Sequence, residues 1–299
     1  MANPKILDPD QPPEVHSVAD LLAQHRSNRQ KIHDLQIKLY RDRLTRLMSR
    51  DGAALYLQTM AAHLDDVGAV VVISVDMDHF KQVNDAYGHK VGDIFLKEAS
   101  ARIANMTRGF KHTVSHPKRE NKMEAFLAAL EENGLPLDAD VSPDYSNDNP
   151  PQTVGASIRY GGEESLIILP LGETDNPYQV AAKIGKRICD ALSDDPYDLS
   201  HEKNGQTIKL FVSKTASIGV AVVQPDELSA VFSGEPDDWL SDLNNCSDAA
   251  LYCAKDNGRS RVALRLPDQT NKIIYMHPKG EGKMPGGVNI KITPRDLVA

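Results

Sequence analysis

The chain has 299 residues, with 34 Lys and Arg against 42 Asp and Glu for a formal net charge of -8, and 40% of its residues are hydrophobic. These are the proportions of a soluble globular protein with room for one large domain and appendages, or two modest domains. The acidic balance excludes bulk-charge binding to nucleic acid, which needs an excess of cations, but leaves open a local phosphate site built from a few. The longest strongly apolar run, around Val67–Val75, falls far short of the roughly 20 residues of a membrane-spanning helix. The opening MANPKILDPDQPPEV lacks the basic-then-apolar order of a secretory signal. Cys189, Cys246 and Cys253 form no Cys-x-x-Cys pair and are too scattered for a disulfide framework, so a reducing, cytoplasmic setting is expected. Cys246 and Cys253, seven residues apart, would share one helix face packed in the core.

Met1–Val15 is rich in Pro and Asp and reads as a disordered lead. From Ser17 to Tyr40, Val18, Leu21, Leu22, His25, Ile32, Leu35 and Leu39 recur at helical spacing. The apolar stripe of that helix needs a partner, either its own domain or a second copy of the chain. A second helix is predicted from about Ser49 to Leu64 with Ser49 as N-cap. Val70–Val75, β-branched except for Ser74, reads as a strand buried on both faces. HFKQVNDAYGHKVGD follows as polar punctuation, and IFLKEASARIANM resumes a helical period. Arg108–Thr153 is loop-like, with one helix expected at Lys122–Glu132, and reads as a surface insertion. SIRYGGEESLIILP carries a hairpin signal: a short strand, a Gly-Gly turn and an apolar strand. Pro177–Leu192 is expected to be helical, TIKLFVSKTASIGVAVV a strand pair or one long bent strand, and Asp238–Asp256 a helix stopped by Gly258. RVALRL makes a last strand, and the tail from Pro267 to Ala299 has weak periodicity. The β-α-β-β-α-β order predicts an α/β (α+β) sandwich, a central sheet flanked by helices.

The chemistry concentrates at two places. Asp76 and Asp78 end a hydrophobic strand, where a carboxylate is costly unless it meets water, a cation or a ligand. Taken alone, both acids are more simply read as surface residues that end the strand. Gly161-Gly162 is a turn through which backbone can approach a ligand, and Glu163 and Glu164 follow at once. If the hairpin strand lies beside Val70–Val75, Glu163 and Asp76 can converge on a hard divalent cation, and Mg²⁺ suits few carboxylates completed by substrate phosphates. Without that pairing the hairpin has an ordinary acidic, solvated tip.

Together, DMDHFKQVNDAYGHKVGD, RYGGEES and SDAALYCAKDNGRSRV, with RDRLTRLMSRDG upstream, resemble the GGDEF domain family of diguanylate cyclases. The resemblance runs from about Asp42 to Val262, apart from Arg108–Thr153, which the family lacks. It divides the chain into residues 1–41, a lead plus amphipathic helix; 42–265, the domain with an insertion at about 108–153; and 266–299, a tail. It implies a palm-like, mostly antiparallel fold related to nucleotidyl cyclases. Asp76 through its carboxylate, Met77 through its backbone carbonyl, and Glu163 would hold Mg²⁺, with Mn²⁺ as the alternative ion, and Glu163 would also be the base toward the ribose hydroxyl. Backbone N–H groups of His79, Phe80 and Lys81 would meet the β- and γ-phosphates, together with Lys255 and Arg259. Those two cations, four residues apart at a helix end, can reach toward one side. Gly161 and Gly162 would let the turn approach substrate. Asn84 and Asp93 would read the base: a carboxylate can accept from the adjacent N1–H and N2–H of guanine but faces a lone pair on adenine, which favours GTP over ATP.

The activity implied is condensation of two GTP into cyclic di-GMP with release of two pyrophosphates, each subunit of a homodimer holding one GTP. The Ser17–Tyr40 helix would then have the task of bringing two domains together. The chain departs from the family in three respects. Ser165 stands where the signature has Phe, a loss worth about 3–5 kcal/mol if nothing refills the space. Asn149–Ile158 contains no Arg-x-x-Asp, so no inhibitory product site is expected. The insertion reads more simply as a tolerated loop, with a protein partner at it or at the N-terminal helix as the alternative. The competing functional readings are a catalytically silent module that binds GTP as a regulatory or interaction domain, and a cyclase with a different dinucleotide product, which Asp93 disfavours.

Overall fold

The computed structural model describes residues 24–28, 31, 35–36, 38–108, 129–130, 133, 135, 155–171 and 176–280. In chain order the elements are α1 (Arg50–Ala62), β1 (Val70–Met77), α2 (Phe80–Tyr87), α3 (His89–Arg108), β2 (Ala156–Arg159), β3 (Glu164–Pro170) and α4 (Pro177–Ser193). Four short strands follow: β4 (Tyr197–Asp198), β5 (His201–Lys203), β6 (Gln206–Ile208) and β7 (Phe211–Val212). The domain closes with β8 (Ala216–Val223), α5 (Pro225–Phe232), α6 (Trp239–Asp256), β9 (Arg261–Arg265) and β10 (Asn271–Met276). Six strands form one sheet in the order β10-β9-β8-β1-β3-β2, antiparallel throughout except for the parallel β8–β9 pair.

β1 is hydrogen-bonded on both edges and covered on both faces, which is why its sequence is an unbroken apolar run rather than an alternation. Val71, Ile73 and Val75 pack with residues of α2, α3 and α4, while Val70 and Val72 pack with α1, Leu228 of α5 and Trp239 and Leu243 of α6. Each such side chain, fully buried, contributes about 1.5–3 kcal/mol relative to exposure. Ser49 caps α1 as expected, its hydroxyl accepting from Gly52 N at 3.1 Å. The strand runs two residues past Val75 because both neighbours reach that far: Asp76 pairs with Glu164 and Met77 with Ala216.

α6 lies unusually close to the sheet. A Cβ on Gly219 of β8 would fall 2.3 Å from Ser247 O and 2.2 Å from Leu251 N, both backbone atoms of α6. At the same crossing Ser74 Oγ shares a 2.6 Å hydrogen bond with Ser247 Oγ and donates to Asn244 Oδ1 at 3.1 Å. These contacts fix α6, and hence its last turn, against the end of β1.

Several expectations are corrected. The polar stretch after β1 is helical: α2 buries only Phe80 and Val83, too few to reveal a period, and Gly88 at φ 85° separates it from α3. The segment expected as a strand pair or one bent strand is three strands, β6, β7 and β8. α5 and the edge strand β10 were not legible as elements. Cys246 and Cys253 are half-buried at the margins of the core, whereas Cys189 is buried. The insertion is not wholly a surface loop: Leu130 and Leu135 are buried in the α1 cluster, and Asn133 Nδ2 donates to Thr59 Oγ1 at 3.0 Å. Of the helix expected at Lys122–Glu132, residues 129–130 are helical and the rest lies outside the described residues, as does most of the 266–299 tail beyond residue 280. Within Ser17–Tyr40, residues 24–28, 31, 35–36 and 38–40 are helical, with Leu35 and Leu39 exposed; the others, and the Met1–Val15 lead, lie outside the described residues. Among the described residues no helix is long and apolar enough to cross a membrane.

Ser165 faces α3 above a cavity of about 10 Å³ bounded by Val75, Met77, Leu96, Ala99 and Ile103. That is room for about one water and not for a ring, so the neighbours have closed over the missing aromatic. Restoring it with Ser165→Phe should overpack the site and lower stability by about 1–3 kcal/mol in urea unfolding. A gain in stability would mean that the space had stayed open. Gly219→Ala should cost about 3 kcal/mol by the same measurement, because neither clashing atom is a side chain that can turn away; an unchanged midpoint would contradict the close α6 approach.

Candidate active site

Residues paired across antiparallel strands project on the same face. The β1–β3 register therefore sets Asp76 beside Glu164, the fourth signature residue, and α6 places Lys255 over them, its Nζ 2.8 Å from Asp76 Oδ2. Glu163 precedes Glu164 at the end of the turn; it is half-buried and borders the small cavity with Met77, Thr45 and Ser165. Burial, and next the charge of Asp76, push the Glu164 carboxyl above its ordinary range, with Glu163 and Asp248 adding to the effect and Lys255 opposing it. Three carboxylates thus crowd the end of β1, and the one lysine over them leaves the crowding uncompensated. An oxygen donor set of this kind, with the Met77 carbonyl adjacent, fits a hard divalent cation.

The signature turn is strapped in place. Tyr160 N and Gly161 N both donate to Glu164 O, each at 3.1 Å. Arg159 donates to Asp42 Oδ1 (3.0 Å), Gly161 O (3.3 Å) and Gly162 O (3.2 Å). Arg50 donates twice to Tyr160 O, at 3.2 and 2.8 Å. A Cβ on Gly161 would sit 2.7 Å from Glu164 Oε2, whereas Gly162 has open space around it. Asp42 accepts from Thr45 N and Thr45 Oγ1 as well. Burial works to raise its pKa, but these hydrogen bonds and Arg159 outweigh it and hold the carboxyl below the usual range.

His79, at φ 57°, turns the chain from β1 into α2, whose N-terminus has no side-chain cap. Free N–H groups and the helix dipole make that end favourable for an anion, next to the carboxylates. Phe80 is anchored on Phe95, ring centroids 5.6 Å apart, and Lys81 is exposed. Asn84 of α2 and Asp93 of α3 are brought to neighbouring positions because Gly92 is bare: a Cβ there would lie 1.9 Å from Asn84 Oδ1. Arg259 is exposed, and its guanidinium makes no hydrogen bond or ion pair among the described residues.

Sequence reasoning gave no role to four contributors: Glu164, Arg159, Asp42 and Lys214. Glu164 was passed over for Glu163, although a strand-paired position was the available signal. Arg159 and Asp42 lie 117 residues apart, and only the folded chain joins them. Lys214, just before β8, donates to His79 O at 3.1 Å and Gln82 Oε1 at 3.2 Å. Asp78 turns away from the cleft into a buried cluster. A concavity of about 760 Å³ along Asn245, Asp248, Tyr252 and Asn271 is lined by none of the expected ligands. A second acidic group, Asp190, Asp194 and His277, is a latch between α4 and the residues after β10. His277 Nδ1 accepts from Lys279 N (3.2 Å) and Nε2 donates to Asp194 Oδ1 (2.8 Å), which leaves no imidazole lone pair for a metal.

Residues 39–132 match the family model described as diguanylate cyclase, GGDEF domain. The diguanylate cyclase DosC of Escherichia coli K12 is 27% identical over 224 residues, 75% of this chain and 34% of DosC. The response regulator PleD of Caulobacter vibrioides is 25% identical over 193 residues, 64% of this chain and 28% of PleD. The chain thus spans about a third of the length of these relatives. Among solved structures, the coiled coil and GGDEF domain of DgcB from Caulobacter crescentus, in complex with c-di-GMP, superposes with a TM-score of 0.50 at 19% identity, covering 83% of this chain and 96% of that one, a likeness of fold. The matched segment, the mixed six-stranded sheet and the signature hairpin beside β1 agree: residues 39–132 are similar to the GGDEF domain family, and the described fold is of the same kind.

Proposed function

We propose that the domain is a diguanylate cyclase, and the observation that carries the reading is the pairing of Asp76 with the signature hairpin under Lys255. In this reading Asp76, the Met77 carbonyl and Glu163 hold Mg²⁺, or Mn²⁺ in its place, with Glu164 beside them. When bound, the cation supplies charge neutralisation on the phosphates and a lowered pKa for the attacking hydroxyl. The α2 N-terminus at His79, Phe80 and Lys81 receives the β- and γ-phosphates from one side, and Lys255 and Arg259 from the other. Asn84 and Asp93 select guanine.

Glu163 takes the proton from the 3′-hydroxyl of one GTP. That oxygen attacks the α-phosphorus of the GTP on the opposing subunit, the bond to the bridging oxygen breaks, and pyrophosphate leaves. The same exchange in the other direction closes cyclic di-GMP, so two facing sites are required. The exposed Leu35 and Leu39 on the N-terminal helix support a pairing role for that helix. No Arg or Asp lies at Gly155–Ile158, which is buried, so feedback by product through an Arg-x-x-Asp motif is absent from this reading.

Ser165 favours a second reading, a silent module that binds GTP without turnover, but the closed cavity beneath it leaves the turn supported by Arg159 and Arg50. Incubation of the full chain with GTP and Mg²⁺, with products resolved by chromatography, separates the two. Cyclic di-GMP is expected from the wild type, with a loss of at least about 100-fold in Glu163→Gln. Bound but unconverted GTP at concentrations that support dimers would establish the silent module instead.

A further inference from the structure

Asp78 is buried, with 2% of its surface exposed, although it lies two residues from the proposed metal ligand Asp76. Its carboxylate is saturated by the protein. Oδ1 accepts from Ser217 Oγ at 2.6 Å, and Oδ2 accepts from Thr215 Oγ1 at 2.6 Å and from Ser260 N at 2.9 Å. Its own N–H donates to Thr215 O at 2.9 Å. One side chain therefore joins the end of β1, the start of β8 and the turn between α6 and β9.

The backbone around this carboxylate is strained. Six non-glycine residues among those described have positive φ, and three of them border Asp78: His79 (φ 57°), Arg259 (φ 60°) and Ser260 (φ 50°). Left-handed backbone is unfavourable for a residue with a Cβ and persists only where its surroundings hold it. Here the holding groups are identifiable. Asp78 takes the Ser260 N–H, His277 N donates to Ser260 O at 2.9 Å, and the fully buried Arg261 donates from Nε to Arg259 O at 2.7 Å. On the other side Lys214, tethered beside Asp78, donates to His79 O. Ser260 Oγ is buried without a hydrogen bond among the described residues, so the residue contributes there through its backbone.

The strained residues are the ones that aim the proposed phosphate-binding groups. His79 opens the α2 N-terminus, and the Arg259–Ser260 turn sets the direction of Arg259 beyond Lys255. We infer that Asp78 is a positioning residue that holds the two walls of the triphosphate cleft, the α2 N-terminus and the Lys255/Arg259 turn, at a fixed separation by stabilising left-handed backbone on each. It touches no substrate. The role rests on the cyclase reading above.

The test is equilibrium binding of the non-hydrolysable α,β-methylene analogue of GTP by calorimetry, together with initial rates on GTP. Asp78→Asn keeps the shape and removes the charge that satisfies three donors. It should weaken analogue binding and raise KM by about tenfold or more while kcat changes by less than about threefold. Adding Ser260→Gly, which takes positive φ without a Cβ penalty, should recover part of the lost affinity. Thr215→Val removes one donor only and, should Asp78→Asn fail to fold, is expected to move affinity in the same direction by a smaller factor. Wild-type binding of the analogue with affinity unchanged in Asp78→Asn or Thr215→Val, even if their unfolding midpoints fall, would overturn the positioning role and leave the cyclase reading intact. A wild-type chain that does not bind the analogue would remove the cyclase reading, and this role with it.

Discussion

A carboxylate at the end of a doubly buried strand has to be compensated, and the arrangement of this domain follows from how that is done. β1 carries Asp76 out of an apolar interior, β3 sets Glu164 opposite it, and α6 brings Lys255 to 2.8 Å from the Asp76 carboxylate. The lysine can be there only because Gly219 lets the helix backbone rest on β8 and because Ser74 and Ser247 meet at 2.6 Å across the same crossing. A single ammonium over three acids leaves negative charge in excess. Burial first, and then the Asp76 charge, hold the Glu164 carboxyl above its ordinary range, and a divalent cation with a polyphosphate is the chemistry that would use the excess.

The two aspartates of the DMD motif divide the work. Asp76 faces the cleft on the α6 side, while Asp78 is drawn inward by Ser217, Thr215 and the Ser260 N–H. The same division appears at the signature turn, where Gly161 makes room for the Glu164 carboxylate and the Arg159–Asp42 pair holds the backbone from behind. Asp42 lies two residues beyond the helical residues 38–40. Below the ordinary carboxylate range Asp42 protonates and this strap is lost, since a depressed folded-state pKa contributes stability only above it.

Much of the fold was legible because β1, β3, β8 and α4 carry long, strongly patterned runs. α2 was not, because only Phe80 and Val83 point inward along its eight residues. β10 was hidden by a tail with no alternation, as expected of an edge strand whose exposure is mixed at nearly every position. Leu130 and Leu135 sat in a segment too polar to suggest burial, yet both complete the α1 cluster. The site residues were found by motif resemblance more than by pattern. The structure adds what spacing could not supply: the register that selects Glu164 as the partner of Asp76, the contact of Gly92 with Asn84, and the inward turn of Asp78.

The central claim is that the acids gathered at the end of β1 bind a divalent cation together with guanine nucleotide. Electron paramagnetic resonance titration of Mn²⁺ into the full chain, with and without the α,β-methylene analogue of GTP, measures this directly. The account predicts protein-bound Mn²⁺ that tightens when the nucleotide is present and is lost in Asp76→Asn. Mn²⁺ binding that is indifferent to both the nucleotide and Asp76 would contradict it.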